Sequence, residues 1–132
     1  MIEYLEPADV YRVVERFGFH LRDAGLLSSA LARPSSSMYD VDAYVSLDEK
    51  AAALLESLCR NHALVDGNKR MAWTATVLLL WINGFDHDFT ADEAFELVVG
   101  VASGEIDIAS SAGRLSARRR PRTNRSQPSL KH

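Results

Sequence analysis

A chain of 132 residues, 47% apolar and 25% charged, can bury one real core and is too ordinary in composition to be disordered throughout. Its formal charge of −3 hides a division: residues 1–113 hold 8 Lys and Arg against 18 Asp and Glu, whereas residues 114–132 hold 7 and no acid. An acidic body argues against the usual nucleic-acid-binding domain, and a lone Cys59 rules out an intramolecular disulfide. The first residues, with Glu3, Glu6 and Asp9, lack the basic start and apolar core of a secretion signal. The longest apolar run is too short to span a bilayer, so a soluble cytoplasmic protein is expected.

Pro7 suits the first position of a helix, in which Val10, Val13, Val14 and Phe17 share a face and which Gly18 ends. A shorter helix is expected from Asp23 to Ala32, with Leu26, Leu27, Ala30 and Leu31 inward and Pro34 preventing its continuation. Residues 33–45, with three serines and the tyrosines Tyr39 and Tyr44, show no period. They read as a loop near the site, with room for a short hairpin, or as a plain connector. Ser46-Leu47-Asp48-Glu49 is a capping box opening a helix to about Asn61. Ala51, Leu55 and Leu58 form one stripe of it, and the next position on that stripe is His62, which places the imidazole at the edge of the core.

From Asn68 to Ile82 the chain is apolar on nearly every side of a helix, including Met71, Trp73, Val77, Leu79 and Trp81. Such a helix must be surrounded by others, so it is expected at the centre. Asn83-Gly84 stops it. Thr90-Ala91-Asp92-Glu93 is a second capping box, opening a helix through Phe95, Leu97, Val98 and Val99 to Ser103-Gly104. Asp107 caps a last helix through Ile108 and Leu115. The reading is all-α, a compact bundle of about six helices. Residues 1–117 form the domain, and residues 118–132 form a basic tail with nothing to bury, expected to be disordered. That tail is either a solubilising extension or an added contact to nucleic acid or an acidic partner.

The chemistry concentrates in His62-Ala63-Leu64-Val65-Asp66-Gly67-Asn68-Lys69-Arg70, which reads as helix, tight turn, helix. Free backbone N–H groups at a helix start form an anion site, and Gly67 permits close approach. Charge-assisted bonds from Lys69 and Arg70, each worth roughly 1.5–3 kcal/mol, make phosphate the expected anion. Asp66 is placed to hold Mg²⁺, and His62 is the natural general base for a hydroxyl nucleophile. Taken singly, a His at a helix end is usually a cap, Asp-Gly a turn, and Lys-Arg a solvated face. Their meeting at one turn before the most apolar helix favours the functional reading. A P-loop is excluded, because a helix precedes the turn and Arg70 follows Lys69.

These nine residues resemble the signature of the Fic/Doc superfamily, and its Doc branch of toxins from toxin–antitoxin pairs. Ala30-Leu31-Ala32-Arg33-Pro34, Glu49-Lys50-Ala51-Ala52, Asn83-Gly84, and Val99-Gly100 through Ser103-Gly104-Glu105-Ile106 resemble corresponding Doc segments, so the likeness covers about residues 1–117. Most Fic proteins transfer AMP and carry Gly-Asn-Gly-Arg with a second Arg three residues on. Lys69 and Trp73 depart from that pattern as Doc does. The resemblance implies transfer of the γ-phosphoryl group of ATP to a threonine of elongation factor Tu, arresting translation. It further implies His62 as base, Asp66 as the metal-associated carboxylate, and Asn68, Lys69 and Arg70 as phosphate ligands. Arg60 matches an arginine before the family's histidine that contacts phosphate, and Gly67 lies within the nucleotide site. A Phd-like antitoxin is the implied partner, folding a helix against the first helices. Leu64 stands where the family has Phe. An AMP transferase of the wider family and a non-catalytic binding domain are the alternative readings.

Overall fold

The computed structural model describes residues 1–123. Six α-helices carry the fold: α1 (Pro7–Arg16), α2 (Ala24–Ala32), α3 (Leu47–Arg60), α4 (Asn68–Ile82), α5 (Ala91–Ser103) and α6 (Ile108–Arg118). A 3-10 turn, Arg33–Ser35, follows α2. The local start signals work as their chemistry requires. Asp23, Ser46, Thr90 and Asp107 each accept a backbone N–H of the helix they open, and Asp9 bonds back to the Glu6 N–H at the head of α1.

The centre is shared between α3 and α4. Ten of the fourteen residues of α3 are buried, and it touches α2, the 3-10 turn, α4, α5 and α6. The small residues Ala51, Ala52 and Ala53 let neighbours approach closely. In α4, Met71, Ala72, Trp73, Ala75, Val77, Leu79 and Leu80 are buried, while Leu78, Trp81 and Ile82 are only half-buried near its end. The most apolar helix is therefore central from Met71 to Leu80, and reaches the surface at its first turn, where the candidate site lies, and at its last.

Two short antiparallel strand pairs decorate the bundle. Strands β1 (Ser37–Met38) and β2 (Val41–Asp42) pair antiparallel across Tyr39 and Asp40, whose φ of 52° and 63° make the two-residue turn left-handed at both positions. Lys50, buried in α3, secures this hairpin from below: its Nζ lies 3.4 Å from both Pro34 O and Asp42 Oδ2 and 5.5 Å from the Tyr4 ring. The second pair was not expected, because two helices separate its strands. Strand β3 (Phe85–His87) pairs with β4 (Arg119–Pro121), His87 opposite Arg119 and Phe85 opposite Pro121.

Residue 117, where a boundary was expected, lies in α6, and β4 follows that helix directly. Each arginine there has a partner. Arg118 bonds Asp88 and Glu93, and Arg119 pairs with Asp48 at 2.9 Å while covering the Phe85 ring at 4.0 Å. Arg120 meets Asp88 at 2.8 Å, and Arg122 lies over the Trp81 ring at 4.3 Å. A basic composition suggested a solvated tail, but the acids it pairs with lie 25 or more residues away in the chain. The rest of the expected tail, from residue 124, lies outside the described residues.

Candidate active site

The turn between α3 and α4 is shaped by its backbone. Asn61 closes α3, its N–H bonding Ser57 O, and His62 then takes a left-handed φ of 55°. Ala63 and Leu64 drop into the core at 0% and 1% exposure, so Leu64 does anchor the turn. The connector between α1 and α2 straps that anchor down. Arg22 N and Asp23 N donate to Ala63 O at 2.8 and 3.0 Å, Val65 N donates to His20 O at 2.9 Å, and Leu21 bridges Leu64. The Arg22 side chain donates twice to His62 O, through Nε at 2.9 Å and through Nη2.

Gly67 caps α4 with φ +83°, and a Cβ there would meet the Phe19 ring at 2.5 Å. No side chain caps this helix, whereas Asp23, Ser46, Thr90 and Asp107 cap α2, α3, α5 and α6. Its first bond back into the turn is from Met71 N to Gly67 O at 2.9 Å. The N–H groups ahead of it, at Asn68, Lys69 and Arg70, are the donors that an anion would satisfy. Asp66 lies immediately before them, exposed, with Oδ1 accepting the Gly67 N–H at 2.8 Å and Oδ2 without a hydrogen bond among the described residues. Arg70 rests over the rings of Phe17 and Phe19 at 5.7 and 5.5 Å. A cavity of about 320 Å³ opens here, lined by Phe17 to His20, Val65, Asp66, Gly67 and Arg70.

The structure thus brings Asp66, Gly67 and Arg70 together around one space, and places Lys69 with Arg70 along a second cavity facing α5. Three sequence expectations change in detail. His62 is exposed, not at the core edge, because the helical stripe that predicted its position ends with α3 at Arg60. The Asn68 side chain is committed to the turn itself: Oδ1 accepts Leu64 N at 2.9 Å and Nδ2 donates to Leu64 O at 3.0 Å. It holds the loop that shapes the site. Arg60 opens onto a separate cavity of about 560 Å³ between α2 and α3, beside Arg33, Glu56 and Asn61.

Phe19 and Arg22 were missed. One closes over Gly67 and the other holds the His62 carbonyl, yet both sit 40 or more residues upstream with no local motif to mark them. Cys59, three residues before His62, is not a nucleophile: burial pushes its thiol up to about 12, against a smaller downward pull from Lys69. Among the described residues no group of three or more His, Cys, Asp or Glu could enclose a metal. Mg²⁺ does not need such a cage, since it keeps waters and takes one or two carboxylates together with phosphate oxygens. Asp66, with its open Oδ2, fits that role.

Helical topology and the turn motif together define the class. Residues 5–80 match the Fic/DOC family, and the chain belongs to it. Within the family it is of the Doc type. It is 50% identical over 121 residues to Toxin Doc of Mycolicibacterium smegmatis, spanning 88% of this chain and 93% of that protein. It is 39% identical over 69 residues to Protein kinase doc of Escherichia phage P1, spanning 52% of this chain and 54% of that protein.

Proposed function

We propose that this protein is the toxin of a toxin–antitoxin pair and phosphorylates a threonine hydroxyl of elongation factor Tu with ATP, arresting translation in the cytoplasm. The observation that carries the reading is the uncapped first turn of α4: free N–H groups behind a left-handed Gly67, with Lys69 and Arg70 beside them and Asp66 in front. The γ-phosphate sits against these donors. His62, exposed and held by its carbonyl, accepts the proton of the threonine Oγ. Oγ bonds to the γ-phosphorus as the bond to the bridging oxygen breaks, and ADP leaves. Asp66 would hold Mg²⁺, which when bound would supply charge neutralisation on the phosphates, most of what phosphoryl transfer asks of its catalyst.

The AMP-transfer alternative calls for a second arginine on α4. Trp73 stands there instead, fully buried, with its ring edge-on to His87 at 5.4 Å and to Phe89 at 5.2 Å. That favours the kinase. The name of the phage relative supports the same choice. The neutralising partner is a Phd-like antitoxin, whose helix would occupy the groove between α1 and α4 lined by Leu5, Val13, Phe17, Leu78 and Ile82. No described helix is long and apolar enough to cross a membrane. Mass spectrometry of elongation factor Tu incubated with ATP, Mg²⁺ and this chain tests the reading. A gain of about 80 Da supports phosphoryl transfer, about 329 Da supports AMP transfer, and no gain removes this target.

A further inference from the structure

Lys69 and Arg70 also form one wall of a cavity of about 350 Å³ whose other wall is α5, through Ala94, Phe95, Val98 and Val99. That volume lies within the range of small-ligand sites. Four of its six lining residues are apolar, and Phe95 is 64% exposed. No acid of α5 lines it, and two of them, Glu93 and Glu96, line a different cavity with Arg114 and Arg118. Neither Lys69 nor Arg70 has a carboxylate in ion-pair range among the described residues. Arg70 is shared with the cavity at Gly67, so the two spaces meet at one guanidinium.

An apolar slot with an uncompensated cationic rim suits a ligand with a flat apolar body and an anionic chain. We propose that the cavity between α4 and α5 seats the nucleobase of the nucleotide whose terminal phosphate lies at Gly67. This inference rests on the phosphotransferase reading and adds a consequence to it. No side chain in the slot other than the two cations can hydrogen-bond a base edge, so the base is held by apolar contact and by the Phe95 ring. Discrimination between purines by hydrogen-bond pairing is then weak, because no buried polar group is left unpaired by the wrong base.

Calorimetric titration of the full chain with ATP, GTP and inorganic tripolyphosphate, each with Mg²⁺, tests this. Phe95→Ala, at an exposed position that leaves the core untouched, should weaken ATP and GTP alike by roughly tenfold, as expected for a lost base–aromatic contact. Tripolyphosphate affinity should not change. The parent should bind ATP and GTP within about tenfold of each other. Unchanged ATP affinity in Phe95→Ala, an equal loss for tripolyphosphate, or a strong ATP preference in the parent would overturn the base seat while leaving the phosphate site standing. A parent chain that binds neither ATP nor tripolyphosphate would bring down the phosphotransferase reading itself.

Discussion

At Gly67 an added methyl group would sit 2.5 Å from the Phe19 ring, on a residue whose φ of +83° disfavours any side chain. Gly67→Ala should therefore destabilise the fold by at least about 1–2 kcal/mol, the cost of a left-handed L-residue. The same substitution would push Phe19, and with it the ring under Arg70, so phosphate binding should weaken beyond what stability alone explains. Thermal melts with and without ATP and Mg²⁺ separate the two effects: ligand stabilisation should shrink, not merely shift with the baseline. Cys59 gives a second check at this scale. A thiol held near 12 stays protonated at neutral pH, so the native chain should react with Ellman's reagent only when unfolded. Prompt reaction of the folded protein would mean that the end of α3 opens, and with it the base of the site.

Among the elements, β3 pairs with β4 and so holds residues 119–121 to the bundle. Arg118 holds Glu93 well below its ordinary value of 4.5, to about 2, with help from the capping N–H at Thr90. A carboxylate with a lowered folded value contributes stability above 4.5 and loses it as pH falls toward 2. The melting temperature should fall through that window, and Glu93→Gln should flatten this part of the slope. A slope identical in the variant would mean that Glu93 and Arg118 do not pair in solution. Most helices were legible because their signals are local: a serine, threonine or aspartate before four of the six starts, and Gly84 or Gly104 after an end. The β3–β4 pairing was not, since three-residue strands carry no alternation and the two partners are over 30 residues apart. His62 shows the complementary failure, in which a helical period was followed two residues past the point where the helix stops.

For the whole molecule, the nine-residue motif was readable because everything it needs in sequence is contiguous, while the strap from Phe17 to Asp23 that fixes its backbone leaves no contiguous trace. The fold sets these two segments together and leaves a helix start uncapped between two cavities. We propose that the terminal phosphoryl group, not the adenylyl group, passes from that helix start to a protein hydroxyl with His62 taking the proton. Elongation factor Tu incubated with this chain and Mg²⁺, using ATP labelled at either the γ- or the α-phosphate, reads it directly. Label should appear on the factor from the γ-position only, and His62→Ala should slow transfer by about 10²–10⁴-fold with its melting temperature preserved. Label arriving from the α-phosphate, or transfer undiminished in His62→Ala, would contradict the account.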